Sequence, residues 1–427
     1  MRLNWLVLFG LLLLGCEQAK NEPIAIVPTT GEFTSEDEAV YQERLGELIK
    51  AFSTGQETTK YDTEIEFGQS LVETPLPRSN SDSLSSELIA NLMGFAEDQQ
   101  SDSFVIVENG HVVAERYFGE ISRDSLINAK SLAKPLGVIA IGRAIKLGYI
   151  DSLDQPVSDF IVEWQGTDKE AIKIRHILDM RSGFLPQKYT KETETVLNRA
   201  YLHPRHDEVI IHEYPLVSVP GERYDYSNAN SELVAVVIKR ATSKTYADWL
   251  THEVLALIGA SGGKIWMNRY GGTAHSGCCM ALPSEVFVKL GLLVLEKGKW
   301  GDEEVISPEF IEEMLTTTPQ NIYAGMGVYL GKHYIKERGA SNPDGVSGFD
   351  GTLHSEPYID KDIALFDGNG HQVVYYAISK SCDYAFGGKA KNRTALGQRL
   401  YTQPYIARIK CSMTSLGLHF PHSGYSI

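Results

Sequence analysis

Apolar positions recur every three to four residues from Ser35 to about residue 53 and again from Glu87 to about Gln99. This spacing gives a helix one apolar face, so both segments are predicted to be helices that pack on a core. After the second of these segments the period changes. Two short apolar runs, 104–107 and 112–114, flank Asn109-Gly110. Asn-Gly suits a type I′ turn, so this stretch is predicted to be a β-hairpin.

Helical spacing dominates from Ser131 to about residue 315, and strand patterns return after about Tyr323. Strands at both ends with helices between them predict an α/β domain of the α+β type, in which an antiparallel β-sheet is flanked by helices and a mainly helical subdomain is inserted at about 150–315. The predicted elements are helices from Ser131 to about Leu147, Arg175–Met180, Ser231–Ala241, Tyr246–Leu257, Pro283–Glu296 and from about Ala390 to before Pro404, and strands at Gly325–Leu330, Ile363–Asp367 and His371–Ser379.

The first 15 residues have the pattern of an export signal. Met1-Arg2 precedes an apolar run that is too short for a comfortable membrane span and that ends in Leu13-Leu14-Gly15-Cys16. This ending resembles a bacterial lipobox, which implies cleavage before Cys16, lipidation of its thiol and anchoring at the periplasmic face of the cell envelope. Glu17 in place of aspartate favours the outer membrane. The alternative is an ordinary signal peptide with an incidental Cys16.

The expected organisation is therefore a signal peptide at 1–15, a tether and N-terminal extension at 16–85, and one large domain at 86–427. The formal charge of −15 argues against a nucleic-acid partner, which would require a basic surface. Four further cysteines leave the disulfide pairing open, although Cys382 with Cys411 is favoured. Cys278 and Cys279 are adjacent and are expected to pack as small buried residues.

The strongest candidate chemistry is Ser131-Leu132-Ala133-Lys134 at the start of a predicted helix. Residues three apart share a helix face, so Lys134 can take the proton that makes Ser131 a nucleophile. Free backbone N–H groups at the helix start suit a developing oxyanion. The spacing alone is weak, because Ser261-Gly262-Gly263-Lys264 repeats it; there the paired glycines favour a loop.

A second motif, Tyr226-Ser227-Asn228, lies in a loop after Pro220-Gly221 and before a helix predicted from about Ser231. A tyrosine oxygen beside an ammonium can act as a general base, and Asn228 can hold the lysine or donate to a substrate carbonyl. An N-cap or Asx-turn role is the simpler alternative for Asn228. The two motifs together are more specific than either alone.

With these motifs the chain resembles the serine hydrolase superfamily of class C β-lactamases, D-alanyl-D-alanine carboxypeptidases and related esterases and amidases. Three further stretches carry the resemblance, and the last is similar to the branch that contains 6-aminohexanoate-dimer hydrolases: 147–157, 174–183 and 271–277. The resemblance implies a β-lactamase/transpeptidase-like fold, with Ser131 as acyl-enzyme nucleophile, Lys134 and Tyr226 as proton-transfer pair and Asn228 as a substrate-binding group.

The third motif of that family, Lys-Thr-Gly or His-x-Gly on an edge strand, is altered here. The best candidate is Gly368-Asn369-Gly370-His371-Gln372, which keeps glycine beside the site but lacks the lysine. A backbone N–H near His371 or Gln372 would complete an oxyanion hole with that of Ser131. Lys380-Ser381-Cys382 has the lysine but follows its strand. The missing cation favours an ester or amide substrate without the carboxylate of penicillins.

Several histidines are candidate metal ligands by residue type. His203, His206 and His212 occur with Asp207 and Glu208, but their spacing matches no established metal motif, so surface or core positions are predicted and no metal or cofactor is expected. His275 is predicted to line the cleft.

The sequence therefore predicts a lipid-anchored serine hydrolase that cleaves a small ester, amide or peptide-like substrate. One alternative is a β-lactamase or D-alanyl-D-alanine carboxypeptidase. The other is a non-catalytic peptidoglycan-binding lipoprotein of the same fold, which the altered third motif would suit.

Overall fold

A computed structural model of the chain describes residues 26, 28–54, 62–81, 84–98, 100–186, 195–333, 337–339, 352–354, 362–368, 372–377 and 384–388. The helices are α1 (Ser35–Thr54), α2 (Ser86–Asp98), α3 (Ala133–Lys146), α4 (Ile174–Leu178), α5 (Val196–Leu202), α6 (His206–His212), α7 (Asn228–Thr242), α8 (Tyr246–Leu250), α9 (Ser284–Leu295) and α10 (Pro308–Met314). The strands are β1 (Glu64–Phe67), β2 (Ser103–Glu108), β3 (His111–Tyr117), β4 (Leu126–Asn128), β5 (Gly263–Trp266), β6 (Met280–Pro283), β7 (Lys299–Trp300), β8 (Glu303–Glu304), β9 (Tyr329–Leu330), β10 (Glu337–Gly339), β11 (Thr352–His354), β12 (Ile363–Gly368), β13 (Gln372–Ala377) and β14 (Tyr384–Gly388).

The main sheet has six antiparallel strands in the order β3-β2-β14-β13-β12-β9. Its first hairpin turns at Asn109 and Gly110, which both have positive φ angles, 50° and 76°. That is the backbone of a type I′ turn, so the hairpin prediction is confirmed. The C-terminal strands insert beside β2, which brings the two ends of the domain into one sheet.

Successive side chains of β2 point to opposite faces of this sheet, and helices pack on both faces. Val105 and Val107 contribute to the main core, whereas Ile106 joins Leu92 and Met93 of α2 on the other face. Successive side chains of a strand point to opposite faces, and both faces of β2 are apolar. The predicted α+β architecture of an antiparallel sheet with flanking helices is therefore confirmed.

Helix α3 runs through the main core, and the residues from Ala133 to Ala144 are all buried. It packs beside α7, and Trp249 donates its indole N–H to the carbonyl of Ala140 at 3.1 Å. Gly148, with a φ of 74°, follows the end of this helix, where a left-handed residue commonly ends a helix. The helix that directly follows the candidate nucleophile is thus held by packing along most of its length.

The predicted helical subdomain contains a second sheet that the apolar pattern does not reveal. Strands β5 and β6 lie within residues 150–315 and form an antiparallel sheet in the order β1-β5-β6-β4. These strands are only three or four residues long, too short for a clear period of two. The interpretation of 150–315 as mostly helical was therefore incomplete.

Part of the 16–85 segment is packed against the rest of the fold. Strand β1 pairs with β5, and α1 packs against α5. Upstream of α1, Thr29 donates its backbone N–H to Glu163 at 2.7 Å. Residues 29–67, where described, therefore contribute tertiary contacts.

The predicted helices that lie within the described residues are found with shifted ends. The helix expected from Ser231 begins at Asn228, and α8 continues into a wider helical turn over Thr251–Leu255. The strand predicted at Gly325–Leu330 is reduced to β9. The last predicted helix lies outside the described residues, as do Cys382 and Cys411.

Candidate active site

Ser131 lies in a tight 3₁₀ turn, Lys130–Leu132, which leads directly into α3 at Ala133. The serine was expected at the start of the α-helix itself, and the turn places it just before that start. Lys130 has a positive φ of 48°, and Asn128 accepts its backbone N–H through Oδ1 at 3.1 Å. A non-glycine residue in this region is strained, and such strain is commonly found where a functional side chain must be presented.

Ser131, Lys134 and Tyr226 meet at the serine hydroxyl. The Tyr226 hydroxyl oxygen lies 2.8 Å from Ser131 Oγ, and Lys134 donates from Nζ to the same Oγ at 3.0 Å. Lys134 also donates to the carbonyl oxygen of Gly277 at 2.7 Å. Its ammonium lies 5.2 Å from the centre of the Tyr226 ring. All three residues predicted as catalytic are therefore brought together.

The donor is known for one of the two hydrogen bonds at Ser131 Oγ. Lys134 has only N–H donors, so the contact with Ser131 Oγ is a bond in which the serine oxygen accepts. Either hydroxyl can donate in the contact between Ser131 and Tyr226; when Ser131 donates, a chain runs from Lys134 through Ser131 to the Tyr226 oxygen. Such an arrangement aims the serine proton at a base and leaves the cation beside the place where negative charge would develop.

Tyr226 and Asn228 are placed by the loop that enters α7. Ser227 is the N-cap of that helix, and Tyr214 holds its hydroxyl at 3.1 Å. Asp225 donates its backbone N–H to the carbonyl of Met180 at 2.9 Å. Both flanking residues of Tyr226 are thus fixed, which orients the phenol between them.

Asn228 is the first residue of α7 and is 9% exposed. Its Oδ1 makes no hydrogen bond within the described part of the chain. Because Ser227 takes the N-cap position, the alternative that Asn228 itself is the cap is excluded. A buried amide oxygen without a partner is costly, and a substrate donor would satisfy it.

An aromatic and thioether cluster surrounds Tyr226. Tyr224, Tyr323 and Met180 are buried, and Tyr226 and Tyr329 pack against them. Gly327 approaches the start of α3 so closely that a Cβ would lie 3.3 Å from Pro135 N and 3.0 Å from Val138 Cγ2. The segment before β9 thereby closes one side of the candidate site with apolar surface.

The third motif can be followed only at its two ends. Gly368 ends β12 and Gln372 begins β13, and the two residues are paired across the antiparallel strands. Strand β12 packs against the Lys130–Leu132 turn. Asn369, Gly370 and His371 lie outside the described residues, so their predicted role in substrate binding stays a prediction.

The histidines predicted as ordinary residues occupy three separate environments. His203 contacts Glu38, His206 contacts Glu232, and the exposed His212 lies 3.0 Å from Thr29 Oγ1. The three rings lie apart from one another. The spacing of these histidines in the sequence likewise matched no established metal motif. Their segment is nevertheless helical at His206–His212, which loop-like composition did not predict.

His275 is fully buried, so the prediction that it lines the cleft was wrong. Donor atoms of His206, Glu232 and His275 lie within 4.8 Å of one another, which makes them a formal metal-ligand set. However, the two imidazole rings stack 4.0 Å apart at an interplanar angle of 12°. Their lone pairs therefore lie in two nearly parallel planes, whereas the ligands of a tetrahedral centre must converge on one ion.

Cys278 and Cys279 are joined in a disulfide, contrary to the expectation of two free buried cysteines. Thiolates, and not disulfide sulfurs, are metal ligands, so this pair offers none in its bonded state. The second Ser-x-x-Lys is divided between a loop at Ser261 and strand β5, which contains Lys264. It therefore lacks the shared helix face that the first pair has.

Among the described residues, no helix has the length and apolarity that a membrane crossing requires. The predicted anchor at Cys16 lies outside those residues.

Comparison with known proteins supports the same superfamily. Residues 87–273 match the family model described as Beta-lactamase. The chain is 23% identical over 234 residues to a 6-aminohexanoate-dimer hydrolase of Paenarthrobacter ureafaciens, covering 51% of this chain and 58% of that protein. It is 25% identical over 164 residues to protein flp of Staphylococcus aureus, covering 36% of this chain and 32% of that protein. The chain thus spans about a third of the length of protein flp and somewhat over half of the length of the 6-aminohexanoate-dimer hydrolase.

Solved structures show the fold. A Bacillus anthracis protein assigned to the 6-aminohexanoate-dimer hydrolases superposes with a TM-score of 0.60 at 15% identity, covering 81% of this chain and 89% of that one. EstCE1, a hydrolase with promiscuous acyltransferase activity, gives a TM-score of 0.53 at 15% identity, covering 72% and 93%. The resemblance predicted from the motifs is confirmed: residues 87–273 match the Beta-lactamase family model, and the chain has a β-lactamase/transpeptidase-like fold.

Proposed function

We propose that this chain is a serine hydrolase that cleaves an ester or amide bond through an acyl-enzyme on Ser131. The observation that carries the proposal is the convergence of Lys134 Nζ and the Tyr226 hydroxyl on Ser131 Oγ, at 3.0 and 2.8 Å. Both distances lie within the range in which a proton can be transferred in a catalytic hydrogen bond. The family match and the hydrolase relatives support the same class of chemistry.

In the proposed reaction Tyr226 acts as a phenolate: its oxygen takes the serine proton and becomes a hydroxyl as Oγ attacks the substrate carbonyl. The Lys134 ammonium, 3.0 Å from Ser131 Oγ and 5.2 Å from the centre of the Tyr226 ring, stabilises the negative charge on the two oxygens. The proton then passes to the leaving alcohol or amine, and the acyl group stays on Oγ. Water attacks the ester in the second half-reaction, with the same pair exchanging the proton in reverse order, and releases the acid.

The carbonyl oxygen needs donors while it carries negative charge. Ser131 lies in the first turn of its helical segment, where backbone N–H groups have no intrahelical acceptor. Strand β12 packs beside that turn, so a backbone N–H of the 369–372 stretch is the second donor we propose. Two donors aimed at one oxygen are the usual form of an oxyanion hole.

We propose an uncharged or peptide-like acyl substrate of small size. The third motif has no lysine between Gly368 and Gln372 to pair with a substrate carboxylate. The apolar cluster around Tyr226 suits an acyl chain or an aromatic leaving group. We expect the Oδ1 of Asn228 to accept a substrate N–H, because it is buried and makes no hydrogen bond within the described residues.

The cell-envelope location is also a proposal, based on the lipobox-like Leu13–Cys16 sequence. A lipid on Cys16, together with residues 17–28, would hold the domain close to the membrane at its periplasmic face. Mass spectrometry of the N-terminal peptide from membranes tests this directly: a diacylglyceryl-cysteine supports the anchor, whereas an unmodified Cys16 contradicts it.

The enzymatic proposal is tested with a fluorophosphonate probe and a nitrophenyl ester. Intact mass should show one adduct, and peptide mapping should place it on Ser131. Ser131→Ala should abolish labelling and ester hydrolysis. Ser261→Ala, in the second Ser-x-x-Lys, should leave both unchanged and serves as the matched control.

A wild-type protein that is never labelled and cleaves no ester would overturn the proposal. In that case slow binding of a peptidoglycan fragment without turnover would support the non-catalytic lipoprotein. Rapid nitrocefin hydrolysis would instead move the substrate class to β-lactams, with the same Ser131 mechanism retained.

A further inference from the structure

A column of stacked side chains lies behind the catalytic residues. The Arg44 guanidinium sits 5.2 Å from the centre of the Trp266 ring, Trp266 stacks on His275 at 4.0 Å, and His275 stacks on His206 at 4.0 Å. The interplanar angles in the two ring pairs are 8° and 12°. Acyl transfer uses none of these side chains directly.

Glu232 lies at the edge of this column and is almost completely buried. Its Oε2 lies 3.4 Å from His206 Nε2 and 3.5 Å from His275 Nδ1. Burial opposes ionisation of this carboxyl group, but the two histidines hold its pKa well below the usual range. Burial and the neighbouring His206 lower the pKa of His275 to about 4, and the Glu232 carboxylate opposes that shift. A carboxylate that is buried away from water is stabilised by the groups that contact it directly. Removing the carboxylate charge leaves those groups, here His206 and His275, without their partner.

The other groups around Glu232 come from three segments: the loop at 277–278, α8 and α1. The disulfide-bonded Cys278 places Sγ 3.9 Å from Oε1, and the buried Tyr246 hydroxyl feels the carboxylate charge. Arg44 lies beyond Trp266 and acts on His275. The remaining neighbour is the backbone of Gly277, which carries the link to the active site.

Gly277 rests directly on the Glu232 carboxylate. A Cβ at this position would lie 2.9 Å from Glu232 Oε1 and 2.9 Å from Ser231 Cβ, closer than a real Cβ tolerates. The neighbouring Ser276 donates its hydroxyl to the Ser231 carbonyl at 2.7 Å and accepts the N–H of Ala235 at 3.1 Å. The 275–277 loop is therefore seated on the first turns of α7, with glycine as the residue that permits contact with the carboxylate.

The Gly277 carbonyl accepts a bond from Lys134 Nζ at 2.7 Å. Lys134 has two oxygen acceptors in the described residues, this carbonyl and Ser131 Oγ. A change in the position of the carbonyl would therefore change how the Lys134 ammonium is aligned with Ser131 Oγ. Displacing a catalytic group by about 1 Å can cost up to about 100-fold in rate. A shift of the Gly277 carbonyl would therefore be felt at Ser131.

We propose that Glu232 is a positioning residue for acyl transfer: its carboxylate, shared between His206 and His275, fixes the Gly277 carbonyl that orients Lys134 toward Ser131. This inference rests on the proposed serine-hydrolase function for its kinetic part. Its geometric part, the dependence of the Lys134–Gly277 bond on Glu232, does not require turnover.

The test compares Glu232→Gln with Glu285→Gln. The first variant keeps the volume of the side chain and removes its charge. The second removes an equally buried carboxylate that contacts Leu76 N, Arg123 and Lys289, outside the active site. Crystal structures, thermal unfolding and the acylation kinetics of a nitrophenyl ester are recorded for both variants and for the wild type.

We expect Glu232→Gln to lengthen the Lys134 Nζ–Gly277 O distance beyond hydrogen-bonding range and to lower the acylation rate constant about tenfold or more, with KM changed less than about twofold. Glu285→Gln should retain the contact and the rate constant even where it lowers the melting temperature. Gly277→Ala, which keeps the carboxylate but pushes the loop away from it, should reproduce the kinetic loss and replaces Glu232→Gln if that variant does not fold.

An intact Lys134–Gly277 contact in the Glu232→Gln crystal, or equal rate constants in Glu232→Gln and Glu285→Gln, would overturn the positioning role. If the wild type itself is never acylated, the proposed function fails, and the crystal structures still decide the geometric claim.

Discussion

The Tyr226 hydroxyl oxygen lies 2.8 Å from Ser131 Oγ, although the two residues are separated by 95 positions in the chain. One side chain leaves the turn before α3, and the other leaves the loop before α7, and those two helices pack side by side in the core. The contact between these two proposed catalytic groups is therefore a product of helix packing. The following expectations depend on it and on neighbouring features of the fold.

Removal of the Tyr226 hydroxyl should suppress catalysis without unfolding the protein. Tyr226→Phe loses the oxygen that receives the serine proton, and general base catalysis contributes about 100- to 10,000-fold to a rate. Fluorophosphonate labelling should slow by a factor in this range. Tyr117→Phe, which removes a hydroxyl bonded to Glu115 on β3, is the control and should label normally. Normal labelling of Tyr226→Phe would mean that Lys134 alone is the base.

Gly142 of α3 should not tolerate a methyl group. An added Cβ would lie 2.6 Å from Phe310 Cε1 and 3.0 Å from Ile306 Cγ2. Overpacking of this kind costs about 1–3 kcal/mol. A Cβ added to Gly94 of α2 would have no atom within 4 Å, so Gly94→Ala should stabilise by about 0.5–1 kcal/mol. Urea unfolding of both variants measures the difference, and equal stabilities would contradict the close approach of α3 and α10.

The Glu163–Arg240 pair should make stability depend on pH. Burial opposes ionisation of Glu163, but Arg240, bonded at 2.6 and 2.9 Å, and the Thr29 N–H lower its pKa to about 2. A carboxyl group with a lowered pKa in the folded state stabilises the protein above its unfolded pKa, near 4.5. That contribution is lost as pH falls toward 2.

Glu163→Gln should therefore lower the free energy of unfolding at pH 7 by about 1.5–3 kcal/mol and flatten its decline between about pH 5 and pH 2. Denaturant titrations at several pH values measure this slope. Glu120→Gln at the surface should keep the wild-type slope. An unchanged slope in Glu163→Gln would show that other carboxyl groups account for the acid sensitivity.

The Cys278–Cys279 disulfide can be verified chemically. Protein denatured and alkylated without reductant should yield a peptide in which neither cysteine is modified and whose mass is about 2 Da below that of the dithiol. Reduction before alkylation should add two groups to the same peptide. Alkylation of both residues without reduction would show that they are free thiols in the isolated protein.

The sequence by itself determined the local chemistry. Ser131 and Lys134 are three residues apart, and that spacing together with the apolar run after them predicts a serine and a lysine side by side. Asn109-Gly110 determined the hairpin, because its turn geometry depends only on those residues and the strands next to them. The alternation between helical and strand periods determined the α+β class, because periodicity records which side of an element is buried.

Only the tertiary structure decided the partners that lie far apart in the chain. Strands β5 and β6 are too short to show a period, and pairing with β1 and β4 made them a sheet. The motif around His275 predicted a residue that lines the cleft. In the structure His275 is instead stacked between Trp266 and His206 and fully buried. The contact of Gly277 with Glu232 has no sequence signal at all, because it depends on how a loop settles on a helix. Packing of buried side chains is cooperative and non-local, which is why residue types and spacing predicted the catalytic groups but not the contacts that hold them.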